Sequence, residues 1–265
     1  RGGLSEDGVY AKMSDLVTIM ENCADEGLRG TEYSDRILGR QSDRIDGAAA
    51  RLLPCGILNA AIKYITAIME VKSSMGVIVA APTAGSCGCL PGVLIGAGRT
   101  MGLTHEEITR GMLAAGLIGV FIAEEATFAA EVAGCQVECG AGSGMAAAGL
   151  VQLMGGTPAE CVSAASMALQ NITGLACDPV ANRVEVPCLG KNVMGGGNAV
   201  ASANMALAGY DKVIPLDQTI AAMYDAGLKL PLELRCTFGG LGKTPASLAI
   251  RQKLAAQKKE PRPSR

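Results

Sequence analysis

Small side chains constrain this fold more than any other feature of the sequence. The 265-residue chain sets 35 glycines among Ala, Leu, Val, Ile and Met; although 49% of it is hydrophobic, only 3% is aromatic and Trp is absent. Ala, Leu and Met are good helix formers, and small residues let helices approach closely. A β-sandwich would draw instead on Val, Thr and aromatic residues. The composition therefore predicts an all-α protein with a compact helical body, from a chain long enough to bury one large core.

A net charge of −2 argues against nucleic-acid binding, which calls for a basic face. Residues 75–98 carry no charge over a span long enough to cross a bilayer. Pro82, Pro91 and the centre "PTAGSCG" make them read as two short helices around a buried loop. The run "GMLAAGLIGVFIA" (111–123) is too short to span, so both read as core and no membrane partner is expected. The start, "RGGLSEDG", shows no signal-peptide apolar region. Ten cysteines in an unsecreted chain are not a disulfide framework; in the expected cytoplasmic setting they bind metal, catalyse or are simply buried.

One domain over residues 1–265 is expected. Within it, 1–50 form an N-terminal helix and a charged surface loop, and 251–265 a frayed basic tail. Val9, Met13, Leu16, Val17 and Met20 give residues 5–28 a helical stripe. Residues 52–80, 158–172, 196–209 and 216–228 carry similar patterns. Thr104 and Glu107 form a capping box, which places the sole histidine, His105, exposed in a first helical turn. Glycines 134, 140, 142 and 144 crowd the stretch 123–150; so much glycine is costly in a regular element and implies backbone forced close to something.

Four features carry chemistry: "PTAGSCGC" (82–89), "AGCQVECGAGSG" (133–144), "CDPVANRVEVPC" (177–188) with "GKNVMGGGN" (190–198), and "CTFGGLG" (236–242). Each sets Gly beside Cys, Ser or Asn outside a regular helix. Backbone N–H groups in such loops bind anions or cluster sulfurs, and cysteine thiolates suit soft metals and iron–sulfur clusters. Cys23, Cys55 and Cys161, on apolar helical stretches, read as small core hydrophobes. Cys135, Cys177 and Cys188 lie within two residues of a Gly or Pro and read equally as core or as ligands.

These motifs resemble the iron–sulfur-dependent L-serine dehydratases, in their α chain or catalytic domain. The residues that carry the resemblance are "AAPTAGSCGCLPGVL" (80–94), "GCQVECGAGSGMAAAGL" (134–150), "LQNITGLACDPVANRVEVPC" (169–188), "KNVMGGGNAVASANMALAG" (191–209) and "GGLGKTPAS" (239–247). They stand in family order and cover nearly the whole chain. The resemblance implies a helical catalytic domain whose Gly-rich loops converge on a central [4Fe–4S] cluster held by Cys135, Cys177 and Cys188, with one iron open. It implies a lyase that dehydrates L-serine to pyruvate and ammonia, as in gluconeogenesis and amino-acid degradation, with the open iron as Lewis acid on the β-hydroxyl and without pyridoxal phosphate. Thr83, Ser86 and the backbone near Gly85 and Gly88 would hold the substrate carboxylate. Lys191 and Asn192 would bind substrate or support the cluster. The base would be Ser86, Lys191 or a water held by Asn198. A separate β chain is implied, in a heteromer, with a homodimer as the alternative.

The chain also departs from the family pattern. "EATFAAEVA" (125–133) stands where "NASISGA" is usual, "LGRQSDRIDGAAA" (38–50) where "SGLTGGDA" is usual, and "GKN" where "ERN" or "KRN" is common. Cys139 and Cys236 are further departures, and no role is assigned to Cys87, Cys89 or Cys139. Lost polar groups change what a site accepts. A second reading is therefore a hydro-lyase for another β-hydroxy acid such as 2-(hydroxymethyl)glutarate, with Arg40 or Arg44 pairing a second carboxylate. Sulfide elimination from L-cysteine is a third. A reading from another class is a non-catalytic iron–sulfur or structural subunit, with Cys236 as the fourth ligand.

Overall fold

A computed structural model describes residues 3–257. Among them are eleven α-helices and no strand: α1 (Glu6–Arg29), α2 (Arg44–Gly47), α3 (Gly56–Ser73), α4 (Cys89–Met101), α5 (His105–Glu125), α6 (Ala130–Ala133), α7 (Cys139–Leu153), α8 (Pro158–Ile172), α9 (Cys188–Leu207), α10 (Leu216–Leu228) and α11 (Pro245–Gln257). The all-α expectation holds. No described helix is long and apolar enough to cross a membrane.

The core is built around α7, in which every residue from Cys139 to Val151 is buried. It packs against α4, α5, α8 and α9. Its glycines make that possible. A methyl on Gly149 would stand 2.7 Å from Leu94 and 3.0 Å from the Gly111 carbonyl oxygen, and one on Gly144 would stand 3.1 Å from Leu169. The glycines thus sit inside a regular helix, and the backbone they bring close is that of neighbouring helices. Tertiary packing outweighs the roughly 1 kcal/mol that each glycine costs a helix relative to Ala.

The chain ends its helices where local chemistry directs. Ser5 caps α1 by accepting from Gly8 N, and Thr104 and Glu107 close the expected capping box on α5. A second box, Thr157 with Glu160, starts α8. His105 departs from expectation: it is half-buried, with Nε2 2.8 Å from Ser14 Oγ and Nδ1 2.8 Å from the Glu21 carboxylate. It therefore ties α5 to α1.

Residues 75–98 hold one helix rather than two; an irregular stretch runs to Gly88 before α4 begins at Cys89. Cys55 is exposed just ahead of α3 rather than packed in the core, whereas Cys23 and Cys161 are buried. The loop before α3 is only partly a surface feature. Glu70 accepts from Gln41 N at 2.6 Å, Ser42 N at 3.0 Å and Ser42 Oγ at 2.9 Å, and Ser42 is fully buried. Glu185 likewise accepts from Ile37 N and Leu38 N, and Arg183 pairs with Asp35. This strap is thereby fastened to the segment that leads into α9. Helix α11 continues through Gln257, so residues 251–257 of the expected frayed tail are helical. The rest of that tail lies outside the described residues.

Candidate functional site

Three long helices begin with cysteines: α4 with Cys89, α7 with Cys139 and α9 with Cys188. Asn192, fully buried one turn into α9, gathers these starts together. Its Oδ1 accepts from Cys89 N at 2.9 Å, and its Nδ2 donates to Gly85 O at 2.9 Å and to Cys188 O at 2.8 Å. The same amide lies 3.6 Å from Cys139 Sγ. Helix N-termini carry partial positive charge, so their convergence favours negative charge at this point of the molecule.

Beside them lies a row of thiols. Cys135 opens a short turn after Gly134, whose φ of 76° a side chain would resist. Cys177 lies between α8 and α9 and forms a parallel bridge with Arg235. Cys177 N donates to Leu234 O at 2.7 Å, and Cys236 N donates to Cys177 O at 2.8 Å. Cys135, Cys139 and Cys177 pack together with Ala130, and Cys236 packs against them. Donation from Cys139, then from Cys177, holds the Cys135 thiol well below the usual range, and the Lys191 charge adds to this. The donors Cys139 and Cys177 are raised accordingly. Cys188 packs on the main core, and burial pushes its thiol up to about 12.

Glu138 connects the thiols to the loop that precedes α4. One donor atom from each of Cys135, Glu138 and Cys177 lies within 4.8 Å of the others. Thr83 Oγ1 donates to Glu138 Oε2 at 2.5 Å and lies 3.1 Å from Ser86 Oγ, while Ser86 N donates back to Thr83 Oγ1 at 3.2 Å. At Gly85 a Cβ would stand 2.9 Å from Glu138 Oε2, so a side chain there would displace that carboxylate. Burial raises the Glu138 carboxyl to about 7, against the pull of the Thr83 hydrogen bond. Sequence reasoning missed Glu138. The available signal was a lone acid inside the apolar Cys/Gly stretch "GCQVECGAG".

The other expected site residues divide. Thr83, Gly85 and Ser86 gather at Glu138. Gly88 turns instead to α3, where a Cβ would meet Met69 at 2.7 Å. Lys191 is not a free base: its Nζ donates to Ala176 O at 2.7 Å and to Asp178 Oδ1 at 2.6 Å. Burial opposes its charge, but the Asp178 bond and the neighbouring thiols raise its affinity for the proton. Asn198 is also spent elsewhere. It donates to Ser143 Oγ and Ala168 O and accepts from Asn171, joining α7, α8 and α9. Arg44 is exposed at the first residue of α2, and Arg40 bonds to Leu28 O and pairs with Asp43. Neither takes part in the hydrogen bonds of the thiol site.

A buried set of soft sulfur donors, with a cationic lysine and converging helix N-termini to offset their charge, fits a thiolate-bound metal or iron–sulfur cluster. The family described as serine dehydratase alpha chain matches residues 2–241, and the chain belongs to that family. It is 37% identical over 253 residues to a Bacillus subtilis (strain 168) protein named "Probable L-serine dehydratase, alpha chain", covering 94% of this chain and 84% of that one. A Latilactobacillus sakei protein of the same name is 43% identical over 202 residues, covering 76% and 97%. The "L-serine dehydratase, alpha chain" of Peptoniphilus asaccharolyticus is 36% identical over 258 residues, covering 94% and 86%.

Proposed function

We propose that this chain is the catalytic chain of an L-serine dehydratase, a lyase that releases pyruvate and ammonia. The observation that carries the reading is Glu138, whose carboxylate lies within 4.8 Å of the Cys135 and Cys177 sulfurs and accepts a hydrogen bond from Thr83 of the Thr83–Ser86 loop. Cys135 and Cys177, with Cys188 at the start of α9, would hold a [4Fe–4S] cluster. When bound, the cluster supplies a Lewis-acidic iron for the departing β-hydroxyl oxygen.

The chain's own residues do the rest. The hydroxyls of Thr83 and Ser86 and the backbone of their loop orient the substrate carboxylate. Glu138 Oε2 takes the α-proton, a role suited to a carboxyl held near neutrality. Asn192 keeps the loop and the helix starts in register. Loss of the α-proton and the β-hydroxyl leaves an enamine, which tautomerises and takes up water to give the 2-oxo acid and ammonia. With Arg44 exposed and Arg40 engaged by Leu28 O and Asp43, neither arginine of the dicarboxylate reading joins the thiol site, so serine is preferred over 2-(hydroxymethyl)glutarate. The relatives' alpha-chain names support a separate β chain as partner. The free thiols favour a reducing, cytoplasmic setting.

The test is anaerobic reconstitution with iron and sulfide, followed by an assay of 2-oxo acid release from L-serine beside loss of 2-(hydroxymethyl)glutarate. Cluster-dependent pyruvate formation, lost in Cys135→Ser, is expected. Cluster binding with turnover of the dicarboxylate alone would overturn the substrate assignment.

A further inference from the structure

The thiol row has one end that solvent reaches. Cys135, Cys139 and Cys177 are 3%, 1% and 5% exposed, whereas Cys236 is half-buried and followed by exposed Thr237 and Phe238. Cys236 has a φ of 61°, unusual for a residue with a side chain. The bridge between residues 177 and 235 sets Cys236 beside Cys177, with Cys236 N donating to Cys177 O at 2.8 Å. A residue whose N–H donates directly to the other's carbonyl is its immediate backbone neighbour, the close approach that a disulfide requires. The Cys236 side chain packs against the group that Cys135, Cys139 and Cys177 form.

We propose that Cys236 is an oxidative modification site, with Cys177 as its resolving partner and a peroxide as the oxidant. The Cys236 sulfur attacks one peroxide oxygen and the O–O bond breaks, giving a sulfenic acid and water. The Cys177 thiol then displaces the sulfenic hydroxyl as a second water, and the Cys177–Cys236 disulfide forms. Two thiols lose two electrons and two protons in total, and the peroxide is reduced to two waters. A dithiol reverses the change. The cross-link itself needs no cluster. Its consequence, that a cross-linked Cys177 cannot serve as a ligand, rests on the functional reading above.

The test uses the full cluster-free chain, reduced, freed of reductant without oxygen and treated with equimolar hydrogen peroxide. Alkylation then marks the remaining thiols. Digestion with trypsin and a glutamate-specific protease separates Cys135, Cys139 and Cys177 at Glu138 and Glu160. Two of the ten thiols should disappear into one cross-linked pair, Cys177 with Cys236, and return with dithiothreitol. Alkylation of Cys236 after peroxide, or a cross-link joining Cys177 to Cys135, would overturn the proposal. Cys236→Ser should keep Cys177 alkylatable at the dose that cross-links wild type, and equal loss in this variant would also overturn it. The cross-linked chain should take up little iron and sulfide until reduced. Full uptake with the cross-link intact would remove Cys177 from the cluster and leave the modification site standing.

Discussion

Asn192→Ala should be among the most damaging single changes in this protein, although it removes no charge and little volume. The amide makes two buried hydrogen bonds and a part-buried one to Gly85 O, but the groups it leaves behind are not equally stranded. Cys89 N still reaches Ser86 O at 3.2 Å, and Cys188 O keeps its place in the α9 ladder. Gly85 O is left without that donor. An unsatisfied buried group costs about 1–3 kcal/mol, and each lost but replaceable bond about 0.5–1.5 kcal/mol. The expected loss is therefore about 2–4 kcal/mol, which for a chain of this size lowers Tm by roughly 5–15 °C. Urea and thermal unfolding of the cluster-free chain, followed by circular dichroism, measure it directly. Asn59→Ala, which removes one exposed bond to Leu53 O, is the control and should change stability by less than about 0.5 kcal/mol. A loss below about 1 kcal/mol for Asn192→Ala would refute the view that this side chain holds the loop and the helix starts together.

Three further predictions follow from packing and burial. Gly27→Ala should destabilise, because the new methyl would stand 2.2 Å from Ala67 O in α3; overpacking costs about 1–3 kcal/mol or more. Gly116→Ala, whose nearest neighbour is the flexible Met13 tip at 3.4 Å, should instead stabilise by up to about 1 kcal/mol, and chemical denaturation distinguishes the two signs. Timed alkylation at mildly alkaline pH should label exposed Cys55 before Cys23, Cys87, Cys89 and Cys188, whose thiols burial pushes up to about 12. Glu138 gives a pH dependence. Its carboxyl rises from 4.5 to about 7 on folding, so between those values the folded cluster-free chain binds more protons than the unfolded one and stability falls as pH rises. Glu138→Gln should flatten that decline in a series of denaturation curves.

Helices whose apolar residues line one face were legible in the sequence. The ranges expected for α8 and α10, 158–172 and 216–228, are those observed, and the Thr104–Glu107 box marks the start of α5. The centre of the fold was not legible. Helix α7 is buried on every side and has no polar face to give it a period, and its glycines read as a loop by local propensity. The site was half legible. Cysteines beside Gly and Pro announced themselves, but Glu138 gains its meaning only from Thr83, 55 positions away. Asn198 and Lys191 look like site groups in sequence, yet their hydrogen bonds are consumed by backbone and neighbouring side chains.

The wide separation in sequence of Thr83, Cys135, Cys177 and Asn192 has a kinetic meaning. No local stretch of the chain contains a working fragment of the site, and closing such long loops is slow compared with forming a helix. During synthesis α3, α4 and α5 can form while Asn192 is still to be made, so Gly85 and Cys89 must wait for their clamp. Cluster insertion, on the proposed reading, is consequently an event of the finished core: a nascent chain that has not yet exposed Cys188 presents isolated thiols, vulnerable to stray metals and oxidants.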